Sequence, residues 1–261
     1  MVVKRLTEDP DPARATADFH GLRIAREHGI PSPQPILLDA EGEVLGTPGI
    51  VSRFVEGKQV ARPDDTVAWA RELARILFRI HAIGLTAEDR EQLYHGNTMG
   101  LYFLDGHYPE QMAGHPLSDE IYGAVRELRR DLRETPAVFL HMDFWPGNVL
   151  WNDGRISAVL DWDAASFSDP ALDVAYFRMN MYLRGLKETA DPFLDFYESE
   201  SDPVRSLGFW ELACAARPLP APVEWIPACF VMGDASSSAE RGETDYFEFV
   251  ADAERRAYAG R

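Results

Sequence analysis

The amino-acid sequence predicts an α+β protein, with a small N-terminal part of strands and one helix and a larger, mainly helical C-terminal part. Two observations predict this class. Before residue 58, short apolar runs bounded by glycine or proline flank one segment with helical features. Beyond residue 58, apolar residues recur mostly at helical spacing, interrupted by one β-hairpin signal. We therefore divide the 261-residue chain into residues 1–57 and residues 58–261.

The N-terminal part is predicted to follow the order strand, helix, strand, strand. Residues 2–6 form a short apolar strand. Residues 12–28 form a helix that ends at Gly29. Two further strands occupy residues 35–38 and 49–55, on either side of a turn. The connection to the larger part falls at the end of the last strand.

The C-terminal part is predicted to be built on helices, because two sets of apolar residues recur at helical spacing. The sets are Trp69, Leu73, Ile76, Leu77 and Ile80, and Ile121, Val125, Leu128 and Leu132. Further helix candidates are residues 170–184, 186–200, 205–216 and 243–259. An irregular stretch between the last two is marked by Pro218, Pro220, Pro222 and Pro227.

A hairpin is predicted between two apolar runs, residues 148–151 and 156–160. The two runs are joined by an Asn-Asp-Gly turn signal, which favours a tight β-hairpin. Such a hairpin brings Asn148, at the start of the first run, close to Asp161, at the end of the second. A ligand at the end of a stiff strand is well positioned to face a cleft.

The polar residues around this hairpin match the needs of phosphoryl transfer. That reaction needs a carboxylate to orient the proton of an attacking hydroxyl, and a carboxylate and an amide oxygen to hold the Mg²⁺ that neutralises the phosphates. Asp143 can fill the first role, and Asp161 and Asn148 the second. The alternative is turn and cap chemistry, which aspartate and asparagine commonly supply. Asn152 and Asp153 fit that alternative.

The same segment resembles the aminoglycoside phosphotransferase and choline kinase superfamily, small-molecule kinases with a protein-kinase-like two-lobe fold. The family pattern is His-Gly-Asp, four residues, Asn, an apolar strand ending in Asp-Trp-Glu, then Gly-Asp-Pro-x-x-Asp. The chain gives the following residues at these positions: His141, Met142, Asp143, Asn148, Asp161, Trp162, Asp163, Ser168, Asp169, Pro170 and Asp173. Methionine, aspartate and serine replace Gly, Glu and Gly at 142, 163 and 168.

The resemblance implies a role for each matching residue. Asp143 is the catalytic base, Asn148 and Asp161 are Mg²⁺ ligands, and the nucleotide is ATP or GTP. The loop is supported by His141, Asp169 and Asp173. Residues 1–57 then form a partial N-lobe and the lobe connection, and residues 58–261 a helical C-lobe with a catalytic loop at 141–148 and a metal-binding segment at 161–163.

The resemblance also implies a nucleotide site on the N-lobe. Lys4 aligns with the strand lysine that contacts phosphates, and Asp18 stands where the family usually carries a glutamate that pairs with it. The alternative is that both are ordinary surface charges, since exposed ion pairs are common. Backbone groups of Arg53 and Val55 are expected to contact adenine.

One departure from the family opens a second functional hypothesis. Relatives begin with two strands and a loop that covers the phosphates, whereas this sequence begins at the lysine strand. The sequence is then either a shortened form of a kinase or a protein with an open, weakened nucleotide site. The leading hypothesis is a small-molecule O-phosphotransferase, and the alternative is a kinase-like binding protein without catalysis. A metal-dependent glycosyl or nucleotidyl transferase using Asp161 and Asp163 leaves Asp143 and Asn148 unexplained.

Composition narrows the classes of partner. The chain has 43 acidic and 26 basic residues, for a net charge of −17. Such a field disfavours nucleic acid and anionic membranes and would favour a cationic small molecule. A solvated acidic surface is the preferred explanation of the charge, because net charge bears first on solubility. The two cysteines, Cys214 and Cys229, have no metal-site spacing and are expected to be reduced in a cytoplasmic protein. The oligomeric state is not readable from the sequence.

The sequence does not determine which compound accepts the phosphoryl group. The family spans aminoglycosides, macrolides, choline, amino alcohols and sugars, and the fold does not choose among them. Candidate contacts with the substrate are acids and an aromatic residue of the helical lobe: Asp195, Glu198, Glu224 and Trp225.

Overall fold

The computed structural model describes residues 1–104, 112–225 and 239–259. Within these ranges it has nine strands: β1 Val2–Arg5, β2 Pro35–Asp39, β3 Gly49–Ser52, β4 Lys58–Gln59, β5 Tyr94–His95, β6 Val138–Leu140, β7 Val149–Asn152, β8 Arg155–Val159 and β9 Ser166–Ser168. The same ranges hold nine α-helices: α1 Pro12–Glu27, α2 Thr66–His81, α3 Ala87–Glu91, α4 Gly96–Gly100, α5 Ser118–Leu128, α6 Ala171–Leu183, α7 Ala190–Glu200, α8 Leu207–Ala215 and α9 Ala239–Tyr258.

The N-terminal sheet is antiparallel, with the strand order β1-β3-β2. The predicted order of strand, helix, strand, strand is confirmed, although β3 ends at Ser52 rather than at residue 55. The lysine strand lies at an edge of this sheet, with Lys4 opposite Ile50. The whole sheet is formed before residue 53, and the division at residue 57 stays a prediction.

Helix α1 connects the N-terminal sheet to the larger part of the protein. The side chain of Asp11 caps its first turn by accepting the N–H of Ala13 at 2.8 Å. The chain leaves the helix through Gly29, whose φ of +76° suits glycine. Midway along the helix, Gly21 lets the backbone approach Trp162 closely. The helix therefore packs directly against the segment that follows β8.

The predicted hairpin is present and is joined to a third strand. β7 and β8 are antiparallel, and the turn between them has φ of +50° at Asp153 and +72° at Gly154. Two successive positive φ values characterise a type I′ turn, for which Asp-Gly is a preferred sequence. The short strand β4 pairs with β7, so this sheet has the order β4-β7-β8. A third small sheet has the order β5-β9-β6.

The remaining core is helical. α2 packs against α7, and α6 packs against both α8 and α9. Aromatic stacking joins these layers, because the rings of Phe177 and Phe193 lie 3.8 Å apart and those of Phe139 and Trp162 lie 5.2 Å apart. Within the described residues, no helix is both long and apolar enough to cross a bilayer.

Several element boundaries differ from the sequence-based prediction. The segment predicted as a helix over 186–200 begins with a single 3₁₀ turn, Lys187–Thr189, before α7 starts. Leu132, predicted on one helical face with Ile121, lies beyond the end of α5. Pro222–Trp225 form a 3₁₀ turn within the proline-rich stretch. Pro227 and Cys229 lie outside the described residues, whereas Cys214 is buried with a free thiol.

Candidate active site

A buried aspartate holds the turn that carries Asp143. Asp173, in the first turn of α6, is fully buried. Its Oδ2 accepts the backbone N–H of His141 at 2.8 Å, and its Oδ1 accepts that of Met142 at 2.6 Å. Burial alone would raise the pKa of Asp173, but contacts with His81 and His141 hold it below its ordinary value. An ionised carboxylate at this point fixes the loop backbone.

The ring of His141 is hydrogen-bonded at both nitrogens. Nδ1 accepts the N–H of Asp143 at 3.2 Å, and Nε2 lies 2.8 Å from the carbonyl oxygen of Leu160. A carbonyl can only accept, so these partners assign Nε2 as the donor and Nδ1 as the acceptor. His141 is buried against Trp162, at a ring separation of 4.6 Å. It joins the catalytic loop to the hairpin and has no nitrogen left for proton transfer.

Two residues of the site have left-handed backbones. Met142 has a φ of +67° and Asp161 a φ of +62°. A residue with a side chain adopts this conformation at a cost of about 1–2 kcal/mol, and aspartate tolerates it better than methionine. The strain at Met142 gives a physical reason for the glycine that the family pattern has at this position. Backbone strain of this kind concentrates at functional sites.

Asp143 receives a hydrogen bond on each carboxylate oxygen. The hydroxyl of Tyr176 donates to Oδ1 at 2.5 Å, and Nδ2 of Asn148 donates to Oδ2 at 2.8 Å. Burial raises the pKa of Asp143 above its ordinary value, and the charge of Arg217 and the bond from Tyr176 oppose only part of that rise. The carboxylate is thus fixed in position and more basic than a solvated aspartate.

Asn148 is oriented by the same contacts and lies beside the end of the hairpin. Its Nδ2 also donates to the backbone carbonyl of Asp143 at 2.8 Å, and its own carbonyl accepts the N–H of Leu160 at 2.8 Å. Both partners of Nδ2 are acceptors, which assigns the amide orientation and turns Oδ1 away from Asp143. The hairpin therefore brings Asn148 next to the residue before Asp161.

A cleft of about 470 Å³ lies between the N-terminal sheet and the hairpin. It is lined by six residues predicted from the sequence to bind nucleotide or metal: Lys4, Asp18, Arg53, Val55, Asn148 and Asp161. Apolar side chains of both parts complete it, including Leu22, Ile50, Leu150 and Leu160. An apolar cleft with a few converging polar groups is the usual form of a small-molecule site.

Lys4 lies at the centre of a group of three carboxylates. Its Nζ contacts Asp161, lies 2.9 Å from Asp18 and lies 3.3 Å from Asp163. Burial alone would lower the pKa of Lys4, but these carboxylates raise it above its ordinary value. The ammonium is therefore charged at neutral pH. About a third of its side chain is exposed to the cleft (32%).

The acids around Lys4 differ in their surroundings. Asp18 is buried and accepts the N–H of Trp162 at 3.0 Å, and burial raises its pKa despite the opposing charge of Lys4. Asp163 is bound by Arg14 at 2.6 Å, and Lys4 and Arg14 lower its pKa against the effect of burial. Asp161 is the most exposed of the three, at 39%. Asp161 and Asp18 both line the cleft, and Asp161 is the more accessible of the two.

The carboxylate and amide oxygens of the cleft suit a magnesium ion only together with the phosphates of a bound substrate. Within the described residues, no cluster of three or more His, Cys, Asp or Glu side chains forms a metal site on its own. Mg²⁺ is commonly bound by one or two carboxylate or amide oxygens together with substrate phosphates. Asp161 and Asn148 line the same cleft and supply a carboxylate and an amide oxygen, which fits that requirement.

The other predicted residues occupy different surroundings. The N–H of Arg53 already donates to the carbonyl of Gln34 at 2.8 Å, so only its carbonyl is left for adenine. The carboxylate of Asp169 accepts the N–H of Ala171 at 2.9 Å and begins α6. Val55 lines the cleft.

The four candidate substrate residues are not brought together. Asp195 is exposed on α7. Glu198 accepts the N–H of Val204 at 2.8 Å and lines a separate cavity of about 900 Å³. Glu224 is exposed, whereas the ring of Trp225 lies 6.3 Å from that of Tyr176. Trp225 therefore lies near Tyr176, the residue that donates to Asp143.

Sequence reasoning missed three residues of the site: Arg14, Tyr176 and Arg217. Tyr176 follows Asp173 by three positions on α6, so the two share a helix face, which is a readable signal. Arg217 donates to the carbonyl of Met142 at 2.8 Å, and its guanidinium lies 4.1 Å from the centre of the Tyr176 ring. No motif or spacing in the sequence points to Arg14 or Arg217.

Comparison with known proteins identifies the family. A sequence model of the phosphotransferase enzyme family matches residues 1–208. The chain belongs to this family. Its members are small-molecule kinases.

Curated relatives include a homoserine kinase of Parvibaculum lavamentivorans. It is 29% identical over 160 residues, and the match covers 57% of this chain and 47% of the relative. A hygromycin-B 4-O-kinase of Escherichia coli is 39% identical over 61 residues, or 23% of this chain and 18% of the relative. The chain spans about half the length of the homoserine kinases it matches.

Solved structures establish the fold. The aminoglycoside phosphotransferase APH(4)-Ia, solved with AMP-PNP and hygromycin B, has a TM-score of 0.62 at 18% identity, covering 95% of this chain and 85% of that one. The choline kinase LicA of Streptococcus pneumoniae has a TM-score of 0.61 at 18% identity, covering 97% and 85%. The α+β, kinase-like fold expected from the sequence is therefore confirmed.

Proposed function

We propose that this protein is a small-molecule O-phosphotransferase that uses Mg²⁺ and transfers the terminal phosphoryl group of ATP or GTP to a hydroxyl of an aminoglycoside-like or amino-alcohol substrate. One observation carries the proposal. Asp143 is hydrogen-bonded to Asn148, and Asn148 shares a cleft with Asp161 and Lys4. A base, two oxygen ligands and a cation for phosphates thus lie in one continuous arrangement, as phosphoryl transfer requires.

The nucleotide is assigned to the cleft between the sheet and the hairpin. Its apolar lining suits an adenine or guanine base, and the charged ammonium of Lys4 suits phosphates at the same end as Asp161. Structural neighbours solved with ADP or AMP-PNP support a nucleotide donor. Asp18 then positions Lys4 rather than contacting nucleotide, because it is buried.

Asp161 and Asn148 would hold the magnesium ion. When bound, the ion supplies positive charge that neutralises the phosphates and the charge developing during transfer. Asp161 presently contacts Lys4, so the carboxylate must be shared between the ammonium and the ion. Asn148 has its Nδ2 committed to Asp143, which leaves its Oδ1 as the ligand atom.

Asp143 acts as the base for the acceptor hydroxyl. A bond forms between the acceptor oxygen and the terminal phosphorus, the bond from that phosphorus to the bridging oxygen breaks, the hydroxyl proton passes to Asp143, and the nucleoside diphosphate leaves. The raised pKa of Asp143 favours accepting that proton. Tyr176 and Asn148 hold the carboxylate in place during the step.

The metal assignment is tested by nucleotide binding with and without Mg²⁺. We expect Asp161→Ala to abolish the Mg²⁺-dependent part of ATP binding and Asn148→Ala to weaken it less, because a charged ligand contributes more than a neutral one. Titration calorimetry measures both. Asp153→Ala is the matched control, since Asp153 also has a positive φ and is exposed at the hairpin turn.

Equal losses for Asp161→Ala and Asp153→Ala would contradict the metal assignment. Intact Mg²⁺-dependent ATP binding in wild-type protein without turnover of any hydroxyl compound would favour a kinase-like binding protein instead.

A further inference from the structure

Arg217 lies beside the proposed base and takes no part in the function described so far. It follows α8 and is half-buried. Its Nη1 donates to the carbonyl oxygen of Met142 at 2.8 Å, and its guanidinium lies over the ring of Tyr176 at 4.1 Å. Tyr176 in turn donates to Asp143. The cation is therefore fixed by a backbone contact and a ring face, close to the point of transfer.

Arg217 is on the acceptor side of Asp143 rather than the nucleotide side. The residues that line the nucleotide cleft include Lys4, Asn148 and Asp161, and they include neither Arg217 nor Tyr176. The two sides thus meet at Asp143, which contacts Asn148 on one side and Tyr176 on the other. A group that binds through Arg217 belongs to the acceptor.

The guanidinium keeps N–H donors that have no hydrogen-bond partner among the residues that the structure describes. Arginine carries five N–H groups in a planar fork, and within the described ranges Nη1 alone donates a hydrogen bond, to the carbonyl of Met142. Within the described part of the chain, no carboxylate forms an ion pair with Arg217. Its charge and that of Asp143 influence each other without direct contact. A fixed, unpaired guanidinium at a site of small-molecule binding recognises carboxylate or phosphate groups.

A second arginine adds positive charge on the same side. The guanidinium of Arg184 lies 3.9 Å from the centre of the Trp145 ring, two residues after Asp143. It donates to the carbonyl of Trp225 at 3.3 Å, so it is held near the same aromatic group. Arg217 and Arg184 thus contact the loop on either side of Asp143, through Met142 and Trp145.

We propose that the acceptor is a small hydroxyl compound that also bears a carboxylate, and that Arg217 binds this carboxylate. The inference rests on the proposed function and narrows its substrate class: an amino alcohol with a carboxylate is accepted, and a polycationic aminoglycoside is not. Arg217 orients the substrate so that its hydroxyl meets Asp143. It does not touch the transferred phosphoryl group.

The test measures kcat/KM for pairs of acceptors that differ only in the carboxylate, with ATP and Mg²⁺. The pairs are homoserine with aminopropanol and serine with ethanolamine, and hygromycin B is added as a polycation. We expect the carboxylate-bearing member of at least one pair to exceed its partner by about tenfold to a hundredfold, the scale of one charge-assisted hydrogen bond. We expect Arg217→Gln to remove that preference, chiefly through KM, and Arg217→Lys to retain part of it.

The ratio of kcat/KM for the two acceptors of a pair distinguishes carboxylate binding by Arg217 from a purely structural role of Arg217. Because Arg217 also contacts the loop carbonyl, Arg217→Gln lowers turnover of both members if it only disturbs the loop, and the ratio is then unchanged. Arg75→Gln is the control, since Arg75 is an exposed arginine of α2 paired with Glu72. Thermal unfolding and ATP affinity of each variant show that it is folded.

Three results would overturn the inference. The first is a preference for the acceptor without a carboxylate, or for hygromycin B. The second is a kcat/KM ratio within each pair that Arg217→Gln leaves unchanged. The third is no turnover of any carboxylate-bearing acceptor by a protein that binds ATP with Mg²⁺. Failure of wild-type protein to bind ATP with Mg²⁺ would overturn the proposed function, and this inference with it.

Discussion

Asp143 combines two properties that usually oppose each other in a carboxylate. Burial raises its pKa and makes it more basic, while hydrogen bonds from Tyr176 and Asn148 stabilise its ionised form and fix its position. The balance leaves the pKa above the ordinary value. The charge of Arg217 and the hydrogen bond from Tyr176 oppose part of the rise that burial causes.

Removing the Tyr176 hydroxyl is expected to raise the pKa of Asp143. In Tyr176→Phe the ionised form of Asp143 loses a hydrogen bond, so the pKa of Asp143 rises further. The base must be deprotonated to act, and we therefore expect the acidic limb of the kcat/KM profile to move to higher pH in the variant. The phenyl ring still supports Arg217, so the acceptor preference is unchanged. A pH profile of each protein measures the shift.

Tyr182→Phe is the matched control for this shift. Tyr182 lies on the same helix, and its hydroxyl donates to Asp252 at 2.6 Å, away from Asp143. Its profile is expected to overlay that of the wild type. An acidic limb that stays in place, or moves to lower pH, in Tyr176→Phe would contradict the role given to the Tyr176 hydroxyl.

The sequence predicts some of these residues and not others. Asp143, Asn148 and Asp161 are readable because one loop and one hairpin join them, so their spacing along the chain reflects their spacing in the fold. Arg217 reaches the same site from the end of a distant helix, across 75 residues from Met142. No local pattern encodes such a contact. It depends on how α6 and α8 pack.

At the scale of elements, helix α1 links the cleft that Lys4 lines to the segment that follows the hairpin. Asp18 binds Lys4 on one side and the N–H of Trp162 on the other. One turn later, Gly21 lies so close that an added Cβ would be 2.8 Å from the Cβ of Trp162 and 2.9 Å from that of Ala165. Through Asp18, α1 therefore connects the strand that carries Lys4 to the segment after β8.

Gly21→Ala tests this packing. We expect the methyl group to displace α1, to destabilise the protein by about 1–3 kcal/mol as overpacking does, and to weaken ATP binding because Asp18 moves with the helix. Chemical denaturation and calorimetry measure the two effects. Gly123→Ala is the control, because Gly123 is exposed on α5 with open space around it and alanine there should stabilise by roughly 0.5–1 kcal/mol. Unchanged ATP affinity in Gly21→Ala would show that α1 does not position Lys4.

A strand or helix could be predicted from the sequence only where its own residues carry a clear turn signal or periodicity. The hairpin follows from Asp153 and Gly154, whose sequence suits the observed turn. The two-residue strands β4 and β5 carry no periodicity at all. Each exists because it pairs with a strand far along the chain, β7 or β9, which only the complete fold brings near.

For the whole molecule, the site lies where separate parts of the chain converge. The N-terminal sheet gives Lys4, the hairpin gives Asn148 and Asp161, and the helical part gives Tyr176 and Arg217. The kinase-like fold accounts for this convergence, because its cleft lies between the N-terminal sheet and the hairpin. The net charge of −17 averages over the entire surface, so it does not report the charges that surround Asp143.

The central claim is transfer of a phosphoryl group by way of Asp143, and a single-turnover assay of the phosphorylated acceptor tests it most directly. Wild-type protein, ATP, Mg²⁺ and the best acceptor of the paired panel should form a phosphorylated acceptor, detected by mass. Asp143→Asn should bind ATP with nearly unchanged affinity and form the product at least about 10²-fold more slowly, because the amide cannot accept the proton. Asp153→Asn, at the exposed hairpin turn, should match the wild type. Product formation by Asp143→Asn at the wild-type rate, or none by wild-type protein with ATP bound, would contradict the account.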